Sequence, residues 1–283
     1  ERRLTEENLE HLQGYRGSQP VRIGNAAHQQ LQLDIYGEVV DSAHLYRKYV
    51  GELDPEYWEF CQEVVQYAVE HWREPDEGIW EVRGGRRHFV YSKMMCWVAL
   101  DRGIRLAEKR SFPGARQQWL QTRDQIYEQI MEKGWNEAKG SFVQHYDTDA
   151  LDASNLLMAF VGFLPPDDLR IQSTIKATIE ELAQGYFIRR YNTQETQDGL
   201  TGDEGAFTML TFWLIGPLLF SGQVRKALEL FQDFLKQANH LGLFSEMMDP
   251  STGEFLGNFP QAFTHLAFIS AAINLDRALE NAA

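Results

Sequence analysis

Cysteine is nearly absent from this chain. Only Cys61 and Cys96 occur among 283 residues. Two thiols cannot make a disulfide framework, and each falls inside a helical pattern, as expected of buried free thiols in a reducing, cytoplasmic compartment. Positive charge is also scarce: 27 Lys and Arg stand against 41 Asp and Glu, a formal charge of −14. A surface of that sign repels polyanions, so neither nucleic acid nor an anionic membrane is the expected partner. Long apolar runs are missing too. The most apolar one, residues 206–220, contains Pro217; at about 15 residues it is too short to cross a bilayer and reads as a buried core helix. No GxxxxGK[ST] or GxGxxG phosphate loop, HExxH, paired CxxC or GxSxG elbow appears. Those absences argue against nucleotide, zinc and serine-hydrolase chemistry, and no cofactor or metal is expected.

Helical periodicity fills what is present. It predicts helices near 37–51, 55–73, 87–109, 113–133, 148–163, 166–187, 206–219, 222–240 and 261–280. Local signals set several ends: Asp54-Pro55 opens the second, Ser111-Phe112-Pro113 divides the third from the fourth, and Pro165-Pro166 divides the fifth from the sixth. Short connections near 51–54, 110–113, 164–166 and 220–222 alternate with long ones near 74–86, 134–147, 188–205 and 241–260. Strict alternation describes helical hairpins set side by side, with the long loops gathered at one end. Loops of this length in a compact domain usually carry function. Helices entered from a long loop are apolar nearly all round, as in Val90–Leu100, Leu151–Leu164, Phe207–Phe220 and Phe263–Ile273, whereas Val224–Lys236 is amphipathic. The first kind should be buried and the second should cover it, which is the pattern of an all-α toroid with an inner and an outer ring.

The long loops share a theme. Gly78-Ile79-Trp80-Glu81, Gly134-Trp135-Asn136-Glu137 and Gly242-Leu243-Phe244-Ser245-Glu246 each place an aromatic residue and then a carboxylate after a glycine. Carboxylates beside aromatic faces suit a neutral polyhydroxylated ligand. Hydrolysis of a sugar acetal needs a proton donor for the leaving oxygen and a nucleophile at the anomeric carbon. Two carboxyl groups about 6.5–9.5 Å apart supply both when a water stands between one of them and the sugar, and the anomeric configuration then inverts. The acid must keep its proton, which an apolar surround such as Trp80 and Val82 favours. By this reasoning alone Glu81, Glu137, Glu204, Glu246 and Glu254 remain equal candidates. Two other readings stand beside it: a non-catalytic sugar-binding toroid, and a toroid epimerase or isomerase using a histidine pair such as His88 and His145.

Several longer blocks resemble glycoside hydrolase family 15, which holds glucoamylases, glucodextranases and a prokaryotic trehalase branch. They are Pro20-Val21-Arg22-Ile23-Gly24-Asn25-Ala26-Ala27 with Gln32-Leu33-Asp34-Ile35-Tyr36-Gly37-Glu38; Gly78-Ile79-Trp80-Glu81-Val82-Arg83-Gly84 with His88-Phe89-Val90-Tyr91-Ser92-Lys93; Leu151-Asp152-Ala153-Ser154; Glu204-Gly205-Ala206-Phe207 with Phe212-Trp213-Leu214; and Ser245-Glu246 with Thr252-Gly253-Glu254 and Gly257-Asn258-Phe259-Pro260-Gln261-Ala262-Phe263. The resemblance runs from about residue 12 to the C-terminus. It implies an (α/α)6 barrel and metal-free inverting hydrolysis of α-glucosidic bonds in a disaccharide or oligosaccharide. It places the general acid at Glu81 and the general base at Glu246, with Trp80, Arg190, Tyr191 and Glu204 binding the sugar. Val82 stands where fungal glucoamylases carry a second glutamate that binds the next sugar, so the trehalase-like branch fits better than a starch-degrading one; a glucodextranase-type activity is the other alternative. Against a twelve-helix barrel, about nine helices are counted here. Residues 1–283 are therefore expected to be one barrel domain lacking the first part of the barrel and a preceding β-sandwich. Oligomeric state is not legible.

Overall fold

The computed structural model describes residues 4–110, 115–196, 198, 199 and 204–282. Among them are nine α-helices: α1 (Asp34–Tyr49), α2 (Pro55–His71), α3 (Val90–Arg110), α4 (Arg116–Lys133), α5 (Met158–Val161), α6 (Leu169–Leu182), α7 (Thr208–Phe220), α8 (Val224–Leu235) and α9 (Ala262–Ala282). The Ser111-Phe112-Pro113 boundary lies outside the described residues. Two-residue strands decorate the segment before α1 and the long connections. β1 (Glu7–Asn8) pairs with β2 (Arg22–Ile23), β3 (Trp135–Asn136) with β4 (Ser141–Phe142), and β5 (Ala183–Gln184) with β6 (Phe187–Ile188). β7 (Ala206–Phe207), β8 (Met247–Met248) and β9 (Phe255–Leu256) form a three-stranded antiparallel ladder.

Sequence explains the layering. α3 is buried from Val90 through Leu100, and α7 buries Leu210, Phe212, Leu214, Ile215 and Leu218. Around them, α2 buries Trp58, Cys61, Val65, Ala68 and Trp72 at helical spacing, and α8 buries only Ala227, Phe231 and Phe234. Each apolar stripe therefore faces an apolar-all-round helix, which is the two-ring packing. α1 lies so close to α3 that a Cβ on Gly37 would meet the Met95 carbonyl oxygen at 2.2 Å. Both cysteines are free and buried.

Two expectations need correction. The predicted helix over 148–163 is an irregular segment followed by a 3-10 turn over Ala153–Leu157 and the single turn α5. Here the Asp152 carboxylate accepts the Ser154 amide and caps the short turn, and Gly162 in a left-handed conformation (φ 68°) ends α5. Apolar residues on all sides of α9 led to the expectation of full burial. The structure covers only the face bearing Thr264, Ala267, Ala271 and Leu275, while Phe263, Leu266 and Ile269 are 67%, 61% and 51% exposed. The reason is that the main packing partners of α9 among the described residues are α7 and α8, which lie on that one face. α1, packed on α2 and α3, likewise exposes Ile35, Leu45 and Tyr46. No helix among the described residues is long and apolar enough to cross a membrane.

Buried charge fixes the loop that leaves α2. The fully buried Lys93 ammonium donates to the carbonyls of Trp72 (2.6 Å) and Glu74, which end that helix. Asp76 accepts the Leu33 amide at 3.0 Å and exchanges two backbone hydrogen bonds with Arg87. Beside it, burial and then the Asp76 and Glu38 carboxylates raise the Asp34 carboxyl to about 7. The folded chain thus holds this proton more tightly than the unfolded chain. The stabilising contribution is complete below about pH 4 and is lost as pH rises through about 7. Thermal melts should show Tm falling between about pH 5 and about pH 8, and Asp34→Asn should remove that slope, an effect of at most about 4 kcal/mol. A native Tm that stays flat over this interval would contradict the assignment.

Candidate active site

The loop from α2 to α3 makes a tight turn in which the Glu81 amide donates to the Gly78 carbonyl at 3.2 Å. Glu81 sits at φ 52°, a left-handed conformation that costs a residue with a Cβ about 1–2 kcal/mol. That conformation sends the two neighbours of Glu81 inward, with Val82 buried and Trp80 half-buried, while Glu81 itself is exposed. The apolar surround expected for its carboxylate is therefore not present in this structure. Instead Glu81 Oε2 accepts a hydrogen bond from Asn25 Nδ2 at 2.9 Å. Gln30 Nε2 secures the same turn from beneath, donating to the carbonyls of Glu81 and Val82.

Trp80 is pinned by a residue that sequence reasoning left without a role. Its indole N–H donates to both carboxylate oxygens of Asp152 at 3.0 Å. Asp152 is 3% exposed and also accepts from the Ser154 amide, the Ser154 hydroxyl and Gln144 Nε2. Burial raises its carboxyl, and the bonds from Ser154, Gln144 and Trp80 act the other way. Its position in the Leu151–Ser154 block was the available signal, but nothing in the sequence says that the partner is Trp80.

The indole ring packs against Phe207 (6.0 Å between centroids) and Trp213 (6.2 Å). Above this floor lies Arg190, whose guanidinium carbon is 5.6 Å from the Trp80 ring centre and 4.9 Å from those of Tyr191 and Phe207. Arg190 makes a two-pronged ion pair with Glu204 through Nε (2.8 Å) and a terminal nitrogen. Burial works against the Arg190 charge, but the Glu204 hydrogen bond and the surrounding acidic groups outweigh it and raise its pKa. Tyr191 is fully buried and donates its hydroxyl to Asp198 at 2.9 Å. Its ring thus supports Arg190 from the protein side rather than lining open space.

Phe207 leads to the second acid. It pairs with Met247 in the β7–β8 ladder, and the next amide, Thr208, donates to the Glu246 carbonyl at 3.0 Å. The Glu246 side chain is half-buried, and its Oε2 accepts from both the amide and Nδ2 of Asn258 at 2.9 Å. Oε1 takes no donor among the described residues, which leaves it to accept a proton from water. Gly257 makes room for this arrangement: it sits at φ 71°, and a Cβ there would stand 2.7 Å from Glu246 Oε2. The loops bearing Glu81 and Glu246 therefore meet at one aromatic floor, through Trp80 and through Phe207, whose neighbour Thr208 bonds the Glu246 carbonyl. The segment before α1 bridges the two loops, since Asn25 holds Glu81 while Tyr15 packs at a tilt against Phe259 (4.6 Å between ring centres), next to Asn258. Glu137 lines a separate cavity, and the Glu254 carboxylate stands 3.9 Å from Arg16. The histidine pair required by an epimerase reading is occupied otherwise: His88 stacks on Tyr146, and His145 Nδ1 bonds the Tyr146 carbonyl oxygen at 2.6 Å. Among the described residues no cluster of three His, Cys, Asp or Glu could hold a metal.

The family model for glycosyl hydrolases family 15 matches residues 1–273. The chain belongs to that family. It is 47% identical over 282 residues to a trehalase of Mycobacterium tuberculosis, covering 100% of this chain and 41% of that protein. It is 42% identical to a trehalase of Thermoplasma volcanium, covering 97% of the chain and 44% of the relative. The chain thus spans less than half the length of these family 15 relatives. Among solved structures, a bacterial glucoamylase complexed with acarbose superposes with a TM-score of 0.74 at 15% identity, covering 92% of this chain and 44% of that one. A glycosidase in complex with glucose gives 0.74 at 22% identity over 87% of this chain and 67% of that one. At such identities the likeness concerns the fold, which is the (α/α)6 toroid of family 15 glucoamylases.

Asp152→Ala leaves the Trp80 indole and Gln144 amide without their acceptor. It should destabilise the protein by roughly 2–4 kcal/mol in chemical denaturation and red-shift tryptophan emission. Gly257→Ala should cost about 1–2 kcal/mol from its left-handed backbone alone and push Glu246 off Asn258; a crystal structure of the variant with that pair intact would refute the packing argument.

Proposed function

We propose that the complete protein is an inverting α-glucosidase with trehalose as substrate, Glu81 as general acid and Glu246 as general base. The observation that carries this reading is that the loops bearing the two carboxylates meet at the Trp80–Phe207 contact, with each carboxylate held by an asparagine. Trehalose, rather than a starch chain, is favoured by the relatives named trehalase at 47% and 42% identity and by Val82 beside the acid, where no second carboxylate is available for a further sugar.

The chemistry follows from the geometry. A glucosyl ring rests on Trp80, with its hydroxyls bonded by the Arg190–Glu204 pair, while Tyr191 buttresses Arg190 from behind. Glu246 Oε1 takes a proton from a water, whose oxygen attacks the anomeric carbon. Glu81 gives its proton to the departing glycosidic oxygen. A bound sugar covers Glu81 and keeps bulk water out of this proton transfer. Because water attacks opposite the leaving group, the attacked ring is released as β-glucose and the departing ring of α,α-trehalose keeps its α configuration. A retaining enzyme would release only α-glucose at first.

Proton NMR of the full-length protein acting on trehalose should therefore show equal initial α- and β-anomers; α-glucose alone would sink the inverting mechanism. Glu246→Gln should lower kcat on trehalose by on the order of 10³-fold while leaving sugar binding in place. Glu81→Gln should do the same with trehalose but spare α-glucosyl fluoride, whose leaving group needs no proton. Equal damage on both substrates would remove the general-acid role from Glu81.

A further inference from the structure

The second of the repeated loop motifs, Gly134-Trp135-Asn136-Glu137, is not used by the site described above. It lines a separate cavity of about 980 Å³, set between the end of the α2–α3 loop and the segment that follows α4. That volume is at the upper end of what small-molecule sites enclose and exceeds the needs of a single pyranose ring. We propose that this cavity is a second, non-catalytic carbohydrate-binding site that takes a neutral glucopyranosyl unit against Trp135.

Its chemistry is that of a sugar site. Trp135 is half-buried and held edge-on by Phe142, with 5.2 Å between ring centres and 69° between planes, so it offers a fixed apolar surface. Polar groups beside it are pre-oriented. The Lys139 amide donates to Asn136 Oδ1 at 3.0 Å, which fixes the flip of that amide. Asn136 Nδ2 then donates to Asp149 Oδ1 at 2.6 Å. Asp149 uses one carboxylate oxygen in this bond and keeps the other for a ligand hydroxyl. Asp147, another lining residue, is held at φ 64° in a left-handed turn.

Two further lining rings, His88 and Tyr146, stack on each other with 5.7 Å between centres and 22° between planes, which adds a rigid wall to the cavity. The charge on the walls excludes an anion: Glu132, Glu137, Asp147 and Asp149 outnumber Arg73 and Lys133. A neutral ring with several hydroxyls meets each of these conditions.

The test uses the full-length protein labelled with 5-fluorotryptophan and titrated with D-glucose, a probe that hydrolysis does not consume. The Trp135 fluorine resonance, identified by its loss in Trp135→Phe, should shift and saturate at millimolar glucose, the range set by a few hydrogen bonds and one stacking surface. Asp149→Ala changes an exposed side chain and should weaken that titration about 10-fold or more while leaving the turnover of trehalose unchanged. A Trp135 resonance unmoved up to about 100 mM glucose would overturn the proposal. So would an equal response to glycerol, or a titration that Asp149→Ala leaves unaltered. The site stands apart from the hydrolytic reading: loss or survival of the Glu81 and Glu246 roles does not affect it.

Discussion

Asp152 is buried away from water, so its carboxylate is solvated by protein donors, and those donors come from the segments that build the mouth of the toroid. Trp80 arrives from the loop before α3, Gln144 from the segment after α4, and Ser154 from the turn that Asp152 itself begins. Gln144 passes the connection on by accepting from Thr196, and the amide of Ala153 donates to the Arg190 carbonyl at 2.8 Å. One desolvated acid therefore couples three long loops. A buried acceptor that loses one donor pays in free energy at once, and this is what gives long, otherwise irregular loops a single arrangement.

The fourth loop joins through backbone rather than through Asp152. β7 follows the loop bearing Arg190 and Glu204 and pairs with β8, so Phe207 and Met247 face each other and Glu246 is brought to the edge of the aromatic floor. Antiparallel pairing specifies register to a single residue, because a slip by one would turn Glu246 to the other face of the ladder. The segment before α1 closes the circuit, touching Glu81 through Asn25 and the Glu246 loop through Tyr15. Orientation of the two acids is thus a property of paired backbone and two asparagines, while the helices supply the rigid frame beneath.

Much of the frame was legible in the sequence. The alternation of loop lengths, and the contrast between apolar-all-round helices such as α3 and one-sided helices such as α8, follow from which faces water can reach. Three features were not legible. The two-residue strands β1 to β9 are too short to leave any period-2 signal. The helix expected across 148–163 gave way because side-chain capping by Asp152 competes with helix propensity, and that outcome depends on a partner 72 residues away in the chain. The exposed face of α9 carries the same residues that a buried helix would, so only its neighbours decide what is covered.

For the candidate site the division is similar. The sequence by itself determined which residue types stand on the long loops, that Trp80 precedes Glu81, and, through its family blocks, which glutamates deserve attention among five. Local pattern and composition are written along the chain, and they survive without coordinates. Only the tertiary structure decided that Tyr191 lies behind Arg190, that Asp152 holds Trp80, and that the Trp135 motif lines a cavity to which Trp80 does not contribute. Each of these depends on where a side chain meets segments remote in sequence, and such meetings are set by packing of the whole ring rather than by any local preference.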